Sequence, residues 1–317
     1  NNLKNLGANN LTDSFWRSKV KPIQFKKYKY GTEQEIYLKN AISLFENFRD
    51  GKLNINDVFD VNQLAKLMAI KAIFGSVEFD WRDIKFYYNP ITSLLEPIGR
   101  EVHTAETFDI NTAWWLNNDY LKKINSDQNH FLKLIFKDLN FYELFLSELN
   151  RMVNKNYLQK ILENNFDDFN DFKKILELNN PTKTVFSKIY LEKVRKDISD
   201  TLNPIQGINA HYLDQNQDMI LFSIRNVQSL PVKISAVNFD GNKQFKLKKK
   251  IILKGKQHSV APENILVKVP CEIENLCDNL NLKKLKISYN ILGQEDIKIA
   301  KVSNFYNLKS VNYKKKQ

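Results

Sequence analysis

The stretch from Phe59 to Thr104 constrains this chain more than any other, because a helix, a polar turn and two strand-like runs follow one another there in a fixed order. Asp60 is placed to cap a helix in which Val61, Leu64, Ala65, Leu67, Met68, Ala69, Ile70, Ala72, Ile73 and Phe74 are apolar nearly all round, and Gly75 is placed to end it. Such a helix must be buried on most sides. After the acidic turn from Ser76 to Asp83, Lys85 to Tyr88 is aromatic and strand-favouring. Asn89 to Ser93 is turn chemistry, and Leu94 to Ile98 runs back with Pro97 suited only to an edge or a bulge. The pair predicts a β-hairpin.

Residues equidistant from a hairpin turn lie side by side, so a turn centred near Thr92 predicts that Asp83 and Glu101 meet at the open end. Glu78 and Asp80 lie just before, and four carboxylates can converge there. Grouped carboxylates repel unless a cation neutralises them, and a hard divalent ion held beside phosphate is one solution. A solvated loop with Arg82 and Arg100 as counter-ions is the other reading of the same residues.

The runs FDVNQLAKLMAIKAIFGS, WRDIKFYYNPIT and LEPIG resemble the spore-coat protein H (CotH-like) family of atypical protein kinases. The similarity is best over residues 41 to 104. It extends more weakly towards residue 16 and to IRNVQSLPVKI at 224 to 234. The resemblance implies a kinase-like core binding ATP and Mg2+, with phosphoryl transfer to protein Ser or Thr hydroxyls. It places Asp83 where the family has a metal-binding Asn and Glu101 near its metal-binding Asp, with Asp80 or Glu78 as catalytic acid–base. Arg82, Lys85 and Arg100 are then the cations that contact the cofactor. Three departures stand out: no His precedes the hairpin, Asp replaces Asn at 83, and Glu replaces Asp at 101. Phosphoryl transfer depends on positioning, so these changes equally fit a catalytically inactive kinase-like surface or assembly protein.

Elsewhere the periodicity predicts a helix from Glu33 to Arg49 closed by Gly51. Helical runs follow from Trp114 to Leu121 and Phe131 to Leu139, and then over Tyr142 to Val153, Phe166 to Leu178 and Thr182 to Ile198. Their aromatic stripes are expected to form the core that carries the hairpin. The resemblance makes residues 1 to 58 the remnant of a nucleotide lobe, with the rest expected before Asn1 or missing; there is no G-x-G-x-x-G or P-loop. At Asn203 to Gly207 the pattern switches to short alternating runs: Met219–Asn226, Leu230–Val237, Gln244–Leu253, Ile265–Val269, Leu282–Tyr289 and Glu295–Val302. The expectation is therefore an α+β chain: a kinase-like, mainly helical domain at 1–204 carrying the hairpin, then a β-sandwich accessory domain at 205–317 that contacts a protein or polysaccharide.

A formal charge of +12 raises the question of nucleic acid. Lysine is spread widely and no DNA- or RNA-binding motif accompanies it, so specific nucleic-acid binding is not expected; Lys246 to Lys250, Lys254, Lys256 and Lys314 to Lys316 are the dense clusters. No run is long and apolar enough for a transmembrane segment. Cys271 and Cys277, the only two cysteines, read as buried thiols, with a local disulfide as the alternative in an exported protein. The family resemblance points to a protein substrate or a partner at the cell envelope or outside the cell.

Overall fold

The computed structural model describes residues 14–23, 31–74, 84–99, 130–179, 188–215, 218–239, 244–256, 262–271, 281 and 284–304. The chain is mixed α+β and divides into two compact units, Asn1–Leu202 and Asn203–Gln317.

The first unit contains α1 (Ser14–Arg17), α2 (Glu33–Arg49), α3 (Ile55–Val58), α4 (Val61–Ile73), β1 (Lys85–Asn89) and β2 (Leu94–Ile98). It continues with α5 (His130–Lys137), α6 (Leu139–Met152), α7 (Lys155–Asn164), α8 (Phe166–Asn179) and α9 (Lys188–Leu202). The Asp60 carboxylate accepts from the Gln63 N–H at 3.0 Å, satisfying a backbone donor that the first turn of α4 leaves open. Gly51 takes φ +70°, a value that favours glycine, directly after α2, and its N–H donates to Phe48 O at 3.0 Å. The run expected to continue through Leu139 breaks at Asp138. Its side chain caps α6 by accepting from Phe141 N–H at 2.9 Å.

Packing follows the apolar faces. Leu64, Ala65, Met68 and Ala69 of α4 are fully buried, and along this helix packs α6, whose Phe141, Phe145, Leu146 and Leu149 are fully buried too. Beside them lies a cluster of six phenylalanine rings. Phe131 has its ring centroid between 5.8 and 6.4 Å from those of Phe15, Phe45, Phe48, Phe59 and Phe86, with mostly edge-to-face contacts. The hairpin hangs on this cluster. Phe59 forms a parallel bridge with Leu95, and Asp60 N–H donates to Leu95 O at 3.0 Å, so β2 is tied to the start of α4.

Asn89 shapes the hairpin turn. Its Oδ1 accepts from Ile91 N–H at 2.9 Å, its carbonyl accepts from Ser93 N–H at 2.8 Å, and its Nδ2 donates to Glu96 Oε1 at 2.6 Å. Ser93 takes a positive φ of 58° to complete the reversal.

One helix departs from expectation. The aromatic stripe of α8 predicts a core helix, yet no residue of this helix is buried, and Phe172 is 66% and Leu178 83% exposed. α7, between Asn154 and Asn165, is a helix the periodicity did not predict. Among the described residues no helix is long and apolar enough to cross a membrane.

The second unit contains β3 (Ile208–Gln215), β4 (Met219–Asn226), β5 (Val232–Asn238), β6 (Gln244–Leu253), β7 (Asn264–Pro270), β8 (Lys286–Ile291) and β9 (Lys298–Asn304). Hydrogen bonding orders them β6-β5-β8-β9-β3-β4-β7, antiparallel throughout except for the parallel pair β3–β9. Ile220, Phe222 and Ile224 of β4 and Ile287 and Ile291 of β8 are fully buried. The stretch IRNVQSLPVKI is held by Asn226, itself buried, whose Nδ2 donates to the carbonyls of Leu230, Leu253 and Lys254 at 2.7, 3.3 and 3.0 Å. Its Oδ1 accepts from Gln228 N–H at 3.1 Å. One amide thus closes the β4–β5 loop onto the end of β6.

Gly207 N–H donates to Tyr289 Oη at 3.0 Å, and a Cβ at 207 would lie 2.5 Å from the Tyr289 ring. Cys271 is disulfide-bonded, not the thiol expected. It sits buried just beyond β7, with its N–H donating to Asp218 O at 2.8 Å, and the chain's other cysteine, Cys277, lies outside the described residues.

Candidate functional site

Within the first unit, the segment from Lys19 to Ile23, α2 and the hairpin line a half-open cavity of about 530 Å³. That volume suits a small organic ligand. Its wall is apolar because three separate stripes meet there: Leu38, Ala41 and Phe45 from α2, Ile84 and Phe86 from the entry to β1, and Leu95 and Ile98 from β2. Tyr37 and Tyr88 also line it and touch one another, ring centroids 6.0 Å apart, and Asn40 Nδ2 donates to Tyr88 Oη at 3.4 Å. Three lysines, Lys19, Lys21 and Lys85, also line it, and among the described residues no Asp or Glu does. A flat apolar wall beside cations suits a ligand with a planar ring and an anionic tail.

Lys85 opens β1 and pairs with Ile98, so the predicted cofactor-contacting lysine lies at the open end of the hairpin. The other candidates, Glu78, Asp80, Arg82, Asp83, Arg100 and Glu101, lie outside the described residues. The ladder from Lys85↔Ile98 to Asn89↔Leu94 runs one residue out of the register that a direct Asp83–Glu101 pairing needs. A one-residue change of register exchanges the two faces of a strand. Among the described residues no group of three or more His, Cys, Asp or Glu is placed to hold a metal ion.

Two buried cations escaped the sequence reading. Arg49 is only 6% exposed; its guanidinium carbon lies 5.0 Å from the centroids of both Phe15 and Phe45. Nη1 donates to Ser18 O at 3.1 Å and to both Glu46 carboxylate oxygens at 3.0 Å, while Nε and Nη2 are buried without a partner. Arg49 therefore fastens the start of the 18–23 wall segment to α2. Lys71 is 2% exposed in the last turn of α4. The signal was present in both cases: Arg49 follows Phe45 and Phe48 at helical spacing, and Lys71 interrupts an otherwise apolar face.

Comparison of the chain with protein-family models, with curated proteins and with solved structures found no match.

Proposed function

We propose that the first unit is a kinase-like phosphotransferase of the spore-coat protein H type, which binds ATP with Mg2+ and phosphorylates protein Ser or Thr hydroxyls. The lysine-lined apolar cavity beside the hairpin carries this reading: its aromatic and aliphatic wall suits a purine, and Lys19, Lys21 and Lys85 suit a polyphosphate. Asp83 and Glu101 are the residues assigned to Mg2+, which neutralises phosphate charge when bound. In the transfer, the acceptor hydroxyl oxygen bonds to the γ-phosphorus as the bond to the bridging oxygen of ADP breaks, and the hydroxyl proton passes to Asp80 or Glu78. The accessory unit fits an immunoglobulin-like sandwich in this reading, with β3, β4 and β7 packed over β6, β5 and β8 and β9 joining the two sheets. The buried alternate positions of β4 and β8 support it.

Calorimetric titration with ATP and Mg2+ is the test. The wild type gives saturable heat, Lys85→Ala weakens binding by roughly fivefold or more, and Asp83→Ala loses the gain in ATP affinity that Mg2+ gives the wild type. No heat with the wild type, or equal heat in both variants, overturns the proposal. The substitutions at 83 and 101, with no His before the hairpin, favour a second reading: a catalytically inactive kinase-like protein whose β unit makes the contacts. In that case ATP binds without phosphate appearing on any protein.

A further inference from the structure

The charge of the chain is concentrated in the second unit. Residues 203–317 carry nineteen Lys and Arg against nine Asp and Glu. Strands β5, β6, β8 and β9 go further, with eight lysines and no Asp, Glu or Arg at all. Strand register decides where those lysines point, since directly paired residues share a face.

Gln244 pairs with Asn238, Asn238 with Lys286, and Lys286 with Lys301, which makes one transverse polar row across β6, β5, β8 and β9. Lys246 lies two residues from Gln244 on the same face, and Lys233, paired with Asn290, lies on that face of β5 beyond the bulge and the small buried pair Ala236–Ser288. Lys246, Lys286 and Lys301 are exposed and Lys233 is half-buried; none pairs with a carboxylate among the described residues.

Like charges directly opposite one another on neighbouring strands oppose folding. The Lys286–Lys301 pair is such an arrangement, and a bound anion relieves it. Gln244 offers an amide donor and acceptor beside the cations, which is what hydroxyl groups need, while Asn238 Nδ2 donates to Ser288 Oγ at 2.6 Å and Asn290 Nδ2 donates to Gln294 O, so these two present their amide oxygens. Rows repeat at about 4.8 Å across a sheet, comparable to the advance of one sugar unit along an extended glycan. The face lacks aromatic rings: Tyr289 alternates to the buried side, so there is no platform on which to stack nucleobases. Arginine, the usual bidentate phosphate ligand, is also absent from these strands.

We infer that this lysine-and-amide face of the β unit binds an extended acidic polysaccharide. The inference goes beyond phosphoryl transfer and needs only that the second unit makes contacts, so loss of ATP binding in Lys85→Ala leaves it untouched.

The test uses the full chain with alginate and heparin as acidic probes, dextran as the neutral one and single-stranded DNA as the competing polyanion, in titrations at several salt concentrations. The expected result is binding to the acidic glycans that weakens as salt rises, no binding to dextran and weaker binding to DNA. Lys286→Gln/Lys301→Gln, with both sites exposed and a repulsive pair removed, keeps or raises the melting temperature while weakening glycan binding by roughly tenfold. The matching double variant in the first unit, Lys39→Gln/Lys52→Gln, changes glycan binding less than about twofold. Equal loss in both double variants shows attraction to bulk charge and overturns the inference. Tighter binding to DNA than to either glycan, or no glycan binding at low salt, overturns it as well.

Discussion

In residues 1–202 twenty-nine Lys and Arg stand against twenty-seven Asp and Glu, and the helices bring them together: Lys39 with Glu35, Arg49 with Glu46, Arg151 with Glu148 and Arg195 with Glu192 are all three or four residues apart. In the β unit no ion pair forms between two described residues. Its polar order comes instead from neutral groups, above all Asn226 and the Asn238–Ser288 bond of 2.6 Å. A helix sets opposite charges side by side by sequence alone, whereas a strand must find a partner on another strand. The helical unit can thus carry many charges without presenting a net field. The β unit, built from strands rich in lysine, presents one.

The sharpest way to break this contrast is to remove a ring from the helical core. Phe131→Ala deletes a ring that touches five others and is expected to destabilise the first unit by about 3–5 kcal/mol, read by hydrogen exchange as lost protection over α2, α4 and the hairpin. Unchanged protection there contradicts the ring cluster as the core of that unit.

Next in size is Asn226→Ala, which takes a donor from the carbonyls of Leu253 and Lys254 while Leu230 O keeps Gln228 Nε2, at a cost of about 1–3 kcal/mol. Exchange should rise at both the β4–β5 loop and the end of β6, since this amide bonds to both, beside the Lys256 N–H bond to Gln228 O at 2.7 Å.

Tyr142→Phe sharpens the comparison from the other side, because this buried hydroxyl has no hydrogen-bond partner. Burial holds its pKa above the ordinary value near 10. Below that pH both folded and unfolded phenols are neutral and the group adds no pH dependence. Above it the unfolded phenol ionises while the folded one does not, and stability falls. The variant should be as stable as the wild type, or up to about 1 kcal/mol more so, with a flatter loss of stability in alkaline denaturation. A less stable variant indicates a partner for the hydroxyl.

The smallest effect belongs to the exposed Lys52–Asp50 pair, 2.8 Å apart. Lys52→Ala should shift stability by less than about 0.5 kcal/mol in thermal unfolding. A larger shift would mean that surface pairs hold the helical unit together more than its core does.

Legibility in the sequence followed locality. The Asp60 cap, the bounds of α2 and the span of β2 depend on neighbours a few residues away, and they were readable. So was most of the strand pattern after Asn203. β3 was missed because INAHYLDQ buries only Ile208 and Ala210, an alternation too weak to stand out. α8 was misread for the opposite reason: an apolar stripe has the same spacing whether or not anything covers it. Lys85 was picked out, but the cavity it lines was not, since Lys19, Lys21 and Tyr37 reach it only through packing. The acids proposed for catalysis rest on sequence and resemblance alone.

The parallel pairing of β3 with β9 has a mechanical consequence. These are the first and last described strands of the unit, running side by side in the same direction and matched at Ala210↔Val302 and His211↔Ser303. Tension transmitted along the chain into residue 208 and out of residue 304 pulls the two strands in opposite directions along their own axes. The bonds between them are then loaded together in shear instead of being unzipped one at a time. This is the sturdier arrangement for a module that must stay folded while something tugs on it.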